Sequence, residues 1–241
     1  LLLAEHFIND GFIVADIELD FDKLGKIKDN FSIKGLFNDG QISLLNKKIS
    51  KLNFIFQITN KELKFNDIKL LLNNKNIVIP KLLAIKQDSE FFVSSKINSK
   101  NLSFKVDDLK DFVDNEFLNI ILKEIIFSSD TDLSFNIDQN FKFKNFEIKS
   151  NIDLNFLKLK NFLKVKNNFP NIRDVIIFKN QKIQLEYKKD NLNITGSGDI
   201  FLQKNLDIIQ YKIIRNKKEL NFETKINITK NPFLIDLLGF V

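Results

Sequence analysis

Residues 52–58 read LNFIFQI, with Leu52, Phe54, Phe56 and Ile58 alternating with Asn53, Ile55 and Gln57. A strand sends successive side chains to opposite faces. This period of two therefore puts four large apolar groups on one side of the chain. The pattern runs on at Ile68, Leu70 and Leu72, at Ile77 and Ile79, and at Leu102, Phe104 and Val106. It returns at Leu133, Phe135 and Ile137, at Phe141 and Phe143, at Phe146 and Ile148, and at Ile152, Leu154 and Phe156. Ile183, Leu185 and Tyr187 repeat it, as do Leu220, Phe222, Thr224, Ile226 and Ile228. The intervening residues are mostly Lys, Asn, Asp and Ser. The reading is a mainly β fold, a long antiparallel meander with one apolar and one wet face.

Turn chemistry falls between these runs at Asn46-Lys47-Lys48, Asn60-Lys61, Asn73-Asn74-Lys75, Gln87-Asp88 and Asn98-Ser99-Lys100. The spacing of about 13 residues predicts strands of roughly 8–10 residues joined by short hairpin loops. There are only 7 glycines, and none lies between Gly40 and Gly196. Asn and Asp, which tolerate positive φ, must then do the work glycine usually does.

One segment changes period. Between Asp107 and Phe127 the apolar residues Leu109, Phe112, Val113, Phe117, Ile121 and Ile125 are spaced for a helix, with Asp107 or Asp108 as cap and Ser128-Ser129-Asp130 as stop. A shorter helix is expected at Pro232–Leu238, capped by Asn231, with Pro232 at its first position and Gly239 beyond its end. Pro170 marks an irregular link. The organisation read from this is a first meander over 1–106, a helical insertion or lid over 107–127, and a second meander over 128–241.

The chain has 241 residues, 44% of them apolar and 28% charged, enough for one large all-β domain or two small ones. It begins at Leu1 and contains no Met, so it reads as part of a larger protein with any leader or anchor outside it. No apolar run reaches the roughly 18–20 residues that span a bilayer as a helix. There is no Cys, which excludes disulfides, thiol catalysis and cysteine metal sites. The net charge of +6 comes from 37 basic and 31 acidic residues, with lysines scattered along the chain, a pattern that disfavours a nucleic-acid stripe. The 26 Phe, set beside abundant Lys, Asn and Ile, reflect in part an AT-rich coding bias.

Sites of chemistry are hard to find. His6 stands alone near the start, without the partners a base or ligand needs. Gly196-Ser197-Gly198 lacks the Lys and following helix of a phosphate loop, so with Asp199 it predicts a turn or bulge between Leu192–Ile194 and Ile200–Leu202. Asp16, Glu18, Asp20 and Asp22 alternate on one strand face but lack a glycine-bearing loop to wrap a calcium ion, so a solvated acidic face is the plainer reading. No carboxylate pair is readable for acid–base work. The expectation is a protein that is not an enzyme, with no cofactor and no metal. The Phe-rich face has two readings: the core of a β-sandwich, or an open apolar surface that holds a lipid-like ligand.

Two stretches carry a resemblance. Residues 17–45 read IELDFDKLGKIKDNFSIKGLFNDGQISLL, and residues 193–240 end in a strand followed by Asn231-Pro232-Phe233 and a short apolar helix. Both resemble the AsmA-like superfamily of Gram-negative envelope proteins, in the form found in AT-rich α-proteobacteria. That resemblance implies a repeating β-groove: a twisted, curled sheet with an apolar floor that spans the periplasm, is anchored to the inner membrane by another segment, and passes phospholipid acyl chains toward the outer membrane. On this reading the floor comprises Leu52, Phe54, Phe56, Ile58, Phe65, Phe104 and Phe135. It continues with Ile137, Phe143, Leu154, Phe156, Leu185, Phe222 and Ile226. About 14–16 strands at about 4.8 Å spacing would make a trough of roughly 70 Å. Headgroup selectivity is expected to be weak, because the only arginines, Arg173 and Arg215, are far apart in sequence. Protein partners are not indicated. The alternative is a structural β-sandwich or solenoid module of a surface protein with no lipid role. An outer-membrane barrel is disfavoured by the presence of 2 Tyr and no Trp.

Overall fold

The computed structural model describes residues 8–44, 47–72, 75–109, 119, 121–122, 124–140, 142–161, 169–217 and 219–231. These residues form one mainly β arrangement with almost no helix. The strands are β1 Ile8–Glu18, β2 Ser32–Leu44, β3 Lys47–Thr59, β4 Glu62–Leu72, β5 Lys75–Gln87, β6 Glu90–Lys105 and β7 Glu124–Asp138. They continue as β8 Phe143–Lys160, β9 Val175–Lys188, β10 Asn191–Phe201, β11 Asp207–Arg215 and β12 Leu220–Asn227. Every strand neighbours its predecessor, giving a 12-stranded sheet in the order β1 to β12. The predicted meander is therefore the observed one.

Two expectations about the strands need correction. The described strands number twelve, fewer than estimated, and run from 8 to 18 residues, longer than the turn spacing implied. Asn98-Ser99-Lys100 is not a turn but lies inside β6. Gly196–Asp199, read as a turn or bulge, is the bulge: it lies inside β10, where the register with β9 shifts between Ser197 and Asp199. The strands are longer because left-handed residues are accommodated inside them as bulges, among them Asn101 next to Lys100 and Asn180 on β9 beside Asp199. The predicted long helix is also shorter where it can be seen. Helix α1 spans Val106–Leu109, and residues 124–127 belong to β7, where Glu124-Ile125-Ile126-Phe127 extend an antiparallel strand. Residues 110–118, 120 and 123, together with His6, Phe141 and the expected helix at Pro232–Leu238, lie outside the described residues.

The bulges are built by a consistent device. Asp39, Lys51, Asp67, Asn101, Asn145 and Asn180 all have φ between 48° and 53°, and all lie within strands. A left-handed residue adds one position to a strand, so the side-chain alternation restarts on the same face beyond it. That is why Phe143 and Phe146, three residues apart, share a face across Asn145, and why Leu52 and Ile49 do so across Lys51. Polar groups freed by the bulges are taken by neighbouring side chains. The Asp39 amide donates to Asn53 Oδ1 at 3.1 Å, while Asn53 Nδ2 donates to the Lys51 carbonyl at 2.8 Å. The Asn101 amide donates to Ser128 Oγ at 2.9 Å. Asn180 Nδ2 donates to Asp199 Oδ2 at 2.8 Å.

The chain divides into two compact units, Leu1–Ser99 with Asp130–Lys149, and Lys100–Ser129 with Ser150–Val241. In the first unit Phe37, Leu52 and Ile68 form a buried cluster, with Ile42, Ile49, Phe54, Phe65, Ile79 and Leu82 packed on it. In the second, Leu154, Ile200 and Ile209 are buried.

Candidate functional site

The apolar face assembles from cross-strand pairs, because directly opposed residues of an antiparallel ladder point the same way. In the first unit Phe37 pairs with Phe54, and Ile33 pairs with Ile58. Phe56 pairs with Phe65, and Phe65 in turn with Leu82. The predicted residues Leu52, Phe54, Phe56, Ile58 and Phe65 therefore share one face. Phe54 is its hub, with ring centroids 5.0 Å from Phe37, 6.0 Å from Phe56 and 5.4 Å from Phe65. Phe135, with Ile137 two residues on along β7, meets Phe143 edge-on at 5.2 Å and stacks with Phe146 at 6.0 Å.

Ring-over-glycine packing lets this face close on its own backbone. A Cβ on Gly11 or Gly40 would collide with the Phe37 ring, and one on Gly35 would meet Phe56 Cζ at 2.8 Å. Each ring lies flat on a strand that has nothing to push it away. Phe37 is consequently only 1% exposed and Phe56 only 8%.

In the second unit a row runs Leu185–Ile194–Ile213–Phe222 across β9 to β12. The next row runs Ile183–Gly196–Tyr211–Thr224, and beyond it Gly198, Ile209 and Ile226 are paired. The Tyr211 ring occupies the space above Gly196 that a Cβ would take. Burial pushes the Tyr211 hydroxyl up from 10.0 to about 12. Of the remaining predicted residues, Leu154 is buried in β8, Phe156 carries Lys158 Nζ at 5.4 Å from its ring centre, and Phe104 stacks on Phe127 at 5.8 Å. Phe222 is 64% exposed. The apolar face of the first unit is thus packed shut around Phe37, and that of the second is exposed at Phe222 of β12.

Two polar side chains interrupt the face in the second unit. Gln181 is 0% exposed and lies over Gly198; its Nε2 donates to the Lys179 and Asp199 carbonyls at 3.0 and 2.7 Å, closing the bulge at Asn180. Buried Asp207 Oδ2 accepts from Asn231 Nδ2 at 2.6 Å, and Asn231 also clips the Asn205 backbone. Both act locally to hold bulge and loop.

The acidic run is split. Asp16 and Glu18 share a face of β1, whereas Asp20 and Asp22 stand in the following loop. There Asp22 Oδ1 accepts the amides of Leu24 and Lys26, and Asp20 accepts from Asn30. Among the described residues no group of His, Cys, Asp or Glu is placed to hold a metal ion. At the β7–β8 turn the Lys142 amide and the Lys144 ammonium hold the Asp138 carboxyl below its ordinary range, and Glu90 and Asp138 together raise Lys144. Lys217, with the Tyr187 hydroxyl, likewise lowers Asp190. These pairs fasten loops at the strand ends.

Sequence reasoning missed Phe37, the most buried phenylalanine among the described residues. The available signal was the spacing of Phe37 and Gly40, which supplies a ring and a bare backbone position on the same strand. It missed Gln181 for lack of any signal, since an isolated Gln in an alternating strand reads as solvated. No protein-family model, curated protein or solved structure matches the chain.

Proposed function

We propose that this chain is a non-enzymatic section of an AsmA-like envelope protein whose apolar sheet face receives phospholipid acyl chains. It would work in the periplasm, tied to the inner membrane by a segment outside this sequence. The observation that carries the reading is the Leu185–Ile194–Ile213–Phe222 row, an apolar band across four strands whose last member is 64% exposed. An acyl chain laid along such rows gains roughly 25 cal/mol per Å² of apolar surface removed from water, and it needs no headgroup site. The second reading, a structural module with no lipid role, is favoured by the closed cluster around Phe37.

One substitution separates these readings, with a second as its control. Phe56→Asp places an unpaired carboxylate in a packed site and is expected to unfold the first unit on either reading. Phe222→Asp should leave thermal unfolding nearly unchanged, because the ring is mostly in water, and should sharply reduce the acyl lipid that co-purifies with the parent. Mass spectrometry of extracted lipid reads the outcome. A parent that carries no acyl lipid, or a Phe222→Asp variant that carries as much as the parent, leaves the structural module.

A further inference from the structure

The opposite face of the first unit has a composition that the linear sequence hides. Its register runs Lys34–Gln57–Lys64–Leu83–Ser94 in one row and Leu36–Ile55–Asn66–Lys81–Lys96 in the next. Lys69 follows, opposite Val78. Five lysines separated by up to 62 positions in sequence thus meet on one face, on β2, β4, β5 and β6. Lys81 and Lys96 are direct cross-strand partners, an arrangement that like charges disfavour unless an anion sits between them. Among the described residues none of the five forms an ion pair. Apart from Asp39 and Asp67 at the bulges, the acids of β2–β6 on this face are Glu62 and Glu90, and Glu90 is taken by Lys144 at 2.8 Å. A groove of about 350 Å³ opens beside the lysine pair, floored by Leu83 and bounded on its β7–β8 side by Asp132 and Glu147.

Exposed aliphatic side chains are interleaved with the lysines. Ile55 is 51% exposed, and Leu36, Val78 and Ile85 also stand out in solvent on this face. Lysine stems with aliphatic neighbours and no arginine match the boundary between phosphates and acyl chains. A nucleic-acid surface would want arginine and stacking aromatics among the charges. We propose that this face docks on the surface of an anionic phospholipid bilayer, lysines toward the phosphates and Leu36, Ile55 and Val78 at the acyl boundary. The proposal does not rest on the acyl-chain reading, which concerns the other face of the sheet.

The test is co-sedimentation of the whole 241-residue chain with phosphatidylcholine vesicles, with and without phosphatidylglycerol, at low and high salt. The expected result is binding that requires phosphatidylglycerol and weakens with salt. Each lysine at an anionic surface contributes about fivefold, so Lys64→Gln, Lys81→Gln and Lys96→Gln together should weaken binding on the order of a hundredfold. The matched triple Lys204→Gln, Lys212→Gln and Lys225→Gln, equal in charge but elsewhere, should change it little. Three results would overturn the proposal. They are equal binding to both vesicle types, equal loss in the two triples, and release of the bound chain by DNA or heparin at the concentration of lipid phosphate. A parent with no preference for anionic vesicles overturns the proposal without any variant, and where the preference holds the two triples assign the binding to this face.

Discussion

Single side chains decide how tightly this sheet packs. Gly40 and Gly11 admit the Phe37 ring, Gly35 admits Phe56 and Gly196 admits Tyr211, so four of the seven glycines serve as seats for aromatic rings. The Tyr211 seat has a measurable consequence. Its hydroxyl titrates near 10 in the unfolded chain and at about 12 in the folded one. Between those values the folded state holds the proton that the unfolded state has lost, so stability is full below pH 10 and falls as pH rises through 12. Tyr211→Phe should remove this part of the alkaline decline. The parent's urea midpoint should drop relative to the variant's between pH 10 and 12, and equal slopes would show that the hydroxyl is not buried.

At the scale of the element, the strands are long because they carry bulges. Asp and Asn occupy most of the left-handed positions, since their short polar side chains tolerate αL better than other residues. Lys51, with φ 49°, is the exception among the bulges within strands, and Lys189 at the β9–β10 turn is another left-handed lysine. A non-glycine residue there is strained by roughly 1–2 kcal/mol, while glycine costs about 0.5–1 kcal/mol in unfolded-state entropy. Lys51→Gly should therefore stabilise the chain by roughly 0.5–1 kcal/mol, and Asp67→Val should destabilise it by about 1–2 kcal/mol. Urea unfolding of both variants checks the pair. If Lys51→Gly proves destabilising, the bulge does not hold Lys51 in the left-handed region.

On the scale of the whole molecule, every strand but two has a hydrogen-bonded neighbour on both sides. The exceptions are β1 and β12, the ends of the strand order. Phe12, Ile13 and Ile17 of β1 are more than half exposed, as are Leu220 and Phe222 of β12. Local opening should accordingly be easiest there. Amides of β3 and β4, under the Phe37–Leu52–Ile68 cluster, and of β10 should exchange hydrogen roughly tenfold or more slowly than those of β1 and β12. Mass-spectrometric exchange of the intact chain reads this directly. Protection of β1 equal to that of β3 would mean that its outer edge is covered.

The sequence by itself determined that this protein is an antiparallel meander and which residues share a face between bulges. Alternation is a local property that every strand writes for itself, and Leu52, Phe54, Phe56 and Ile58 obey it without reference to any neighbour. It also held the turn at Asp88 and the polar character of the second face. Only the tertiary structure decided that Asn98–Lys100 and Gly196–Asp199 lie inside strands. A bulge and a turn use the same residues and differ in whether the next strand continues the ladder. The structure also brought Lys34, Lys64, Lys69, Lys81 and Lys96 onto one face, because cross-strand register depends on the summed lengths of strands and bulges and is not legible from spacing along the chain. Register likewise set Phe37 over Gly40 and Gly11, closing the apolar face at one place, and left Phe222 in water on the last strand, where no further strand covers it among the described residues.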